Sequence, residues 1–338
     1  MTYSVPRALK RTLLVVGSGF IAAELARTAQ REWGWSVEVL YRNYRNPALD
    51  GVPTSHLPSS MDELVQVLAR VHPTDVVIAT GSSFVPEINR NVEKALDEHL
   101  NGTLKVLDAL TRLKHPLRGR VLVIGSAAEY GEFSDSPVSE KSPTLPRDHY
   151  GLIKLSLRHI GLHFHQTHGL PLIHVRQFNV SGPGQDGRFV LPSICRQISQ
   201  GAATFGGNQA VRVVAGNTSV RRDFLAIADV CRAYQTLMMR GEPGEVYNIC
   251  SGESYQIGEL ILMAADLAGV RAEVEVNTQL LRETDKAQAV ICGDPSKLRS
   301  LGWVQQVSMS DLLAEMVEES KPMLGTDLVA EKTKLTGE

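Results

Sequence analysis

Two residues in the stretch "DHYGLIKLS" carry the first chemical signal. Tyr150 stands four places before Lys154, a spacing that stacks both side chains on one face of a helix. A phenol with a pKa of about 10 is a poor acid or base at neutral pH, but a lysine cation beside it stabilises the phenolate. A third group comes from "RVLVIGSAAEYG", where Ser126 sits just past the end of a strand-like run. Ligands bind at that end of the strands in open α/β sheets, and the hydroxyl can bind a reacting oxygen. Together the three residues can move a proton while hydride passes to or from a nicotinamide.

Such chemistry needs a dinucleotide site, and "VVGSGFIAAELA" offers one. Gly17, Gly19 and Ala22 form G-x-G-x-x-A between a strand and a helix. Glycine lets backbone amides approach a pyrophosphate, and the helix N-terminus, opened by Phe20 and Ile21, favours its negative charge. A second match, Gly182, Gly184 and Gly187 in "GPGQDG", stands at the wrong end of the fold. The second strand ends in "VLYRNYR", where an NAD site usually places Asp or Glu on the ribose hydroxyls. Arg42 and Asn43 occupy that place. A guanidinium there can pair with a 2′-phosphate, so NADP(H) is the expected cofactor, with NAD(H) as the alternative.

These residues must be positioned by a sheet. "TLLVVGS", "SVEVLY", "DVVIAT" and "RVLVIGS" are continuous apolar runs of strand length, separated by helical patterns in "IAAELARTAQREW", "MDELVQVLARV" and "LNGTLKVLDALTRL". Continuous rather than alternating apolarity means strands covered on both faces. The expected class is α/β, a Rossmann-type doubly wound parallel sheet. "PLIHVRQFNV" adds a strand after the helix that opens near Tyr150. From about residue 181 the texture changes to a glycine-rich loop, isolated helices and short strands such as "EVYNIC". The expected division is therefore 1–180, mainly the cofactor-binding domain, and 181–320, a smaller substrate-binding lobe with some elements returning to the sheet. A polar tail follows over 321–338.

The bulk composition bounds the function. The chain has 338 residues, 43% of them hydrophobic, with a formal net charge of -2. No apolar run is long enough to span a bilayer and no basic block is present, so neither a membrane nor a nucleic-acid partner is expected. Cys195, Cys231, Cys250 and Cys292 are far apart, without zinc spacing; they read as buried reduced thiols, which fits the cytoplasm. His163, His165 and His168 in "HFHQTH" lack a carboxylate or cysteine to complete a metal site.

The set "GSGFIA", "GSAAEYG", "YGLIK", "RQFNVSGPGQ", "RRDF" with "DVCRAY", "YNICSG", and "LRETD" with "GDPSKLRSLGW" resembles the extended short-chain dehydrogenase/reductases acting on nucleotide sugars. The likeness runs in order over roughly residues 12 to 320. It is nearest the branch containing GDP-mannose 4,6-dehydratase and GDP-4-keto-6-deoxy-D-mannose reductase. The resemblance implies Tyr150 as general acid or base, Lys154 as its partner and ribose ligand, and Ser126 as the hydroxyl at the sugar oxygen. It further implies Asn179 at the nucleotide sugar, and Arg222 and Arg282 at the diphosphate or its nucleotide. Families of this type commonly form homodimers or dimers of dimers, through the helix holding Tyr150 and the one over about residues 90 to 113.

Two departures narrow the reading. Val16 and Ala22 replace the first and last glycines of the family fingerprint. Dehydratases of the family usually carry an acidic residue two places after the hydroxyl residue; here that place is Ala128, with Ala127 before it and Glu129 one residue beyond. Elimination of water needs proton-transfer groups that two alanines cannot supply. The expected activity is therefore NADPH-dependent reduction of a 4-keto-6-deoxyhexose nucleotide, GDP-linked by resemblance. The alternatives are a 4-epimerase, a dehydratase with Glu129 as a displaced acid, and a non-catalytic dinucleotide sensor.

Overall fold

The apolar runs become parallel strands, most of them buried on both faces. The computed structural model describes residues 11–131, 137–205, 209–281 and 289–322. Strands β1 (Thr12–Val16), β2 (Ser36–Tyr41), β3 (Thr54–His56), β4 (Asp75–Ile78), β5 (Val121–Ile124) and β6 (Leu172–Gln177) join the later strand Val246–Ile249 in one sheet. The spatial order is Val246–Ile249, β6, β5, β4, β1, β2, β3, and each neighbouring pair is parallel. The order reverses between β1 and β4, the switch point at which doubly wound sheets open a crevice beyond their strand ends.

Side-chain alternation divides the core between the two faces of this sheet. Leu13, Val15, Val77, Leu122, Ile124, Ile173 and Val175 face one cluster, together with helix α1 (Phe20–Arg31) and the helix Ile227–Arg240. Leu14, Val16, Val76, Ile78, Val121, Val123 and Leu172 face the other, with helix α2 (Met61–Val71) and the helix Gly102–Thr111. A leucine or valine taken fully out of water contributes about 1.5–3 kcal/mol, so a strand apolar on both faces is held from both sides. Helices on each side are what a parallel sheet requires, since its crossovers lie on its faces.

Two compact units emerge. The first holds residues up to Val180 with Asp223–Glu253 and Ile291–Gln306, and so includes the whole sheet. The second holds Ser181–Arg222, Ser254–Val290 and the residues from Val307 onward. Within it the helices Val190–Phe205, Ile257–Leu267 and Met309–Glu319 pack together, and Val211–Ala215 pairs in parallel with Ala272–Val276. Of the expected polar tail, residues 323–338 lie outside the described residues.

All four cysteines are buried thiols outside any disulfide. Burial pushes the thiols of Cys195 and Cys231 up to about 12. Among the described residues no cluster of three His, Cys, Asp or Glu could hold a metal, and His165 instead bonds through Nδ1 to the Leu170 carbonyl at 2.8 Å. No described helix is long and apolar enough to cross a membrane.

Candidate active site

The helix His149–His168 opens on Asp148, whose carboxylate accepts the Gly151 amide at 2.7 Å. This cap satisfies one of the orphan donors of the first turn and starts the helix one residue before Tyr150. Gly151 then allows a close approach. A Cβ there would lie 3.0 Å from the Ala128 carbonyl carbon, nearer still to its oxygen, and 3.0 Å from the Pro146 side chain. The helix start can therefore lie against the turn Ala127–Glu129 that follows β5, and that turn carries Ser126 as its N-cap.

This contact brings the three residues together. The Ser126 side chain faces Tyr150 closely enough to favour its ionised form, and its hydroxyl accepts the Ala128 amide at 3.1 Å. Lys154 is 5% exposed; its Nζ donates to the Ile124 carbonyl at 2.9 Å and lies 5.6 Å from the centre of the Tyr150 ring. Burial raises the Tyr150 phenol to about 12 against the opposing Ser126 side chain, with Glu129 and Asp148 adding to the rise. Burial also lowers Lys154 to about 8, opposed by Glu129. The phenol is thus held as an acid beside a lysine close to neutrality.

Glu129, the alternative acid, is bound from beneath the turn. It is fully buried. Its Oε1 accepts the Ser126 amide at 2.9 Å and His174 Nε2 at 2.8 Å, and its Oε2 accepts Arg176 Nε at 3.0 Å. Burial alone would raise this carboxyl, but His174, Arg176 and the Ser126 amide outweigh it and hold it below its ordinary value. Three donors hold this buried carboxylate beneath the turn. Removing either member of the Glu129–Arg176 pair would strand a buried charge, at a cost of about 3–5 kcal/mol.

The residues before the helix Gly102–Thr111 form a π turn, Asp97–Asn101, which buries His99. π turns inside helices often mark functional sites. His99 Nε2 donates to the Ser82 carbonyl at 3.0 Å, while Nδ1 is buried without a partner. Its ring stands edge-on to Tyr150 at 6.2 Å. Burial, reinforced by the Lys154 cation, lowers this imidazole to about 3, so it is neutral at physiological pH.

On the cofactor side, Gly17 has φ +123 and a Cβ there would overlap the Ala79 carbonyl, so only glycine fits the turn that leaves β1. Gly19 is the N-cap of α1 with no side-chain cap bond, and the first turn carries no acidic residue. Its amides and positive dipole end are left for an anion. Phe20 and Ile21 begin the helix and pack on the core. The Ser18 hydroxyl donates to the Tyr44 carbonyl, tying the turn after β1 to the loop after β2. In that loop Asn43 is exposed, and Arg42 pairs with Asp97 at 2.5 Å, both groups close to half exposed. A 2′-phosphate would compete with Asp97 for this guanidinium.

Two of the three substrate candidates lie among the described residues. Asn179 is exposed, and its Nδ2 donates to the Asp223 carbonyl at 2.8 Å. Arg222 belongs to the second unit, in a two-residue strand paired antiparallel with Tyr255–Gln256, and its Nη1 donates to the Arg221 carbonyl at 2.9 Å. Arg282 lies outside the described residues. Sequence reasoning missed His99, His174 and Arg176. The last two had a signal: a histidine and an arginine two residues apart in the apolar run "PLIHVRQFNV" share one face of a strand, and buried charges require a partner.

Comparison with known proteins places this geometry. Residues 58–316 match the family model described as "GDP-mannose 4,6 dehydratase". The GDP-6-deoxy-D-mannose reductase of Pseudomonas aeruginosa is 33% identical over 265 residues, spanning 78% of this chain and 84% of that protein. The GDP-6-deoxy-D-talose 4-dehydrogenase of Aggregatibacter actinomycetemcomitans is 28% identical over 232 residues, spanning 69% of this chain and 74% of that protein. Among solved structures, RMD from Pseudomonas aeruginosa complexed with NADPH superposes with a TM-score of 0.76 at 30% identity, over 92% of this chain and 99% of that one.

Proposed function

The chain belongs to the GDP-mannose 4,6 dehydratase family, an NAD(P)-dependent enzyme family of the extended short-chain dehydrogenase/reductase type, and from that premise we propose that it is an NADPH-dependent nucleotide-sugar 4-ketoreductase acting on a GDP-linked 4-keto-6-deoxyhexose. The observation that carries the reading is the pairing of a protonated Tyr150 beside Ser126 with a turn whose buried carboxylate is held by three donors. Reduction needs one proton donor at one oxygen. Dehydration needs further acid and base groups at the neighbouring carbons, and the turn offers the methyl groups of Ala127 and Ala128. The two relatives, a GDP-6-deoxy-D-mannose reductase and a GDP-6-deoxy-D-talose 4-dehydrogenase, support the same reading.

The residues fit a bound dinucleotide. Gly17 leaves the space that a Cβ would fill, and the uncapped start of α1 presents amides to a pyrophosphate. Arg42 would exchange Asp97 for the 2′-phosphate of NADPH, and the NADPH-bound relative supports that choice. When bound, the cofactor supplies the hydride for the sugar carbonyl carbon. Ser126 and Tyr150 bind the carbonyl oxygen; Tyr150 gives its proton to the oxygen as the new C–H bond forms, and Lys154 stabilises the phenolate left behind. Asn179, Arg222 and Arg282 are the proposed contacts to the nucleotide sugar. The 1–180 region is assigned to the cofactor and 181–320 mainly to the substrate. Homodimerisation through the helix His149–His168 and its neighbour Gly102–Thr111 is part of the proposal, and light scattering that found monomer alone would remove it.

The direct test supplies two substrates. With the 4-keto-6-deoxy nucleotide sugar, NADPH should disappear in proportion to 4-hydroxyl product. With GDP-mannose and NADP⁺, no 4-keto-6-deoxy product should form. Dehydration without NADPH consumption would reverse the assignment, and interconversion without net consumption would identify an epimerase.

A further inference from the structure

Beneath the proposed trio lies a charged group that the proton transfer does not use. We propose that Glu129 is a positioning residue of this site: its carboxylate fixes the Ser126 turn from below and sets a buried negative charge against the Lys154 ammonium. The proposal rests on the acid–base reading of Tyr150 and Lys154.

Geometry supplies the first argument. Both Glu129 oxygens are held, Oε1 by the Ser126 amide and His174 and Oε2 by Arg176, so the turn bearing Ser126 is tied to β6 through side chains. The strand end is built to admit the carboxylate, because a Cβ at Gly125 would overlap both Glu129 Oε1 and His174 Nε2. Arg176 is in turn held, its Nη1 donating to the Glu140 carbonyl at 3.2 Å and its guanidinium standing 4.4 Å from the centre of the Tyr130 ring. The Tyr130 hydroxyl donates to Asn248 at 2.6 Å. Little freedom remains for the Ser126 backbone.

Charge supplies the second. The groups around Tyr150 and Lys154 are Asp148 at the helix start, Arg158 one turn beyond Lys154, the neutral His99 of the π turn, His174 and Arg176 from β6, Tyr234 from the helix Ile227–Arg240, and Glu129. Asp148 is partly exposed, whereas Glu129 is sealed from water. A buried charge is weakly screened. Its sign favours the lysine cation and disfavours the phenolate, and both effects keep the pair protonated, the state from which a reduction starts.

The test reads Lys154 without substrate or cofactor. Lysine labelled with ¹³C at the ε carbon is followed by NMR across pH, and the Lys154 signal is assigned by its loss in Lys154→Met. Wild-type Lys154 should titrate at about 8. In Glu129→Gln, which removes the charge and keeps the shape, the titration should move to lower pH by about 0.5–1 unit, whereas Arg176→Gln, which removes the neighbouring cation, should not lower it. Glu129→Asp, keeping the charge, should restore the wild-type midpoint. The alkaline limb of the NADPH-dependent rate should follow the same shift, with kcat falling more than KM changes. A folded Glu129→Gln whose Lys154 titrates as in the wild type overturns the proposal, as does an equal drop in Arg176→Gln. A shifted lysine in a protein that reduces no 4-keto sugar keeps the positioning role and rejects the reductase reading instead.

Discussion

Gly151→Ala adds one methyl group to the helix that bears Tyr150, and the structure sets the size of its effect. The new carbon would stand 3.0 Å from the Ala128 carbonyl carbon and from the Pro146 Cβ, while carbon atoms prefer about 3.5–4.0 Å. The atoms in the way include rigid backbone, so the helix start and the Ser126 turn must separate by roughly 0.5–1 Å. A misplacement of that order between catalytic groups costs about 10²-fold in rate. Helix stability moves the other way, because alanine is a better helix former than glycine by about 1 kcal/mol. The expected variant is therefore folded, with a thermal midpoint near that of the wild type and NADPH binding retained, but with kcat down about 100-fold in an assay following loss of NADPH absorbance. Gly161→Ala on the same helix is the control: its Cβ would meet only the Leu172 side chain, at 3.0 Å and beyond, and a side chain can rotate. Wild-type kcat in Gly151→Ala would refute the claim that this glycine sets the Ser126–Tyr150 geometry.

Tyr150→Phe removes the hydroxyl and keeps the ring, so turnover should fall by about 10²–10⁴-fold while cofactor titration by fluorescence is unchanged; a wild-type rate would make Tyr150 structural. Lys154 is cationic below about 8 and loses its proton above it, so the unliganded-enzyme profile, kcat/KM against pH, should decline as pH rises through that value, and a profile flat across it would contradict the assignment. Arg42→Ala should weaken NADPH much more than NADH, by about 1.5–3 kcal/mol for the lost charge-assisted bond, with equal losses counting against a 2′-phosphate contact.

The sheet was legible because burial on both faces leaves a direct mark: "LLVV" and "VLVI" are apolar at every position, and their alternate residues fall into the two separate core clusters. The Tyr150–Lys154 spacing was legible because a helix repeats its faces. The supports of the site were less so. "LNGTLKVLDALTRL" reads as plain helix, since apolar spacing does not distinguish a π turn from an α turn, yet a π turn straddles its start and buries His99, the residue just before it, beside Tyr150. Asp97 and Arg42 are 55 residues apart, and nothing local in either segment announces their pairing. Glu129 looked like a spare acid in sequence. Its true environment comes from β6, 45 residues later, and a contact at that separation exists only once the strands are side by side.

The sealed thiols have a use in following how the protein comes apart. Cys195 lies in the second unit, in the helix Val190–Phe205, and Cys231 in the first, in the helix Ile227–Arg240. Both are inaccessible, and burial holds both far from the thiolate state that alkylating reagents attack. Each therefore becomes reactive when its own surroundings open. A pulse of maleimide along a denaturant series, read by peptide mass, would time the two openings separately within one sample. Coincident labelling would describe a single cooperative transition, and early labelling at one position would identify the unit that yields first.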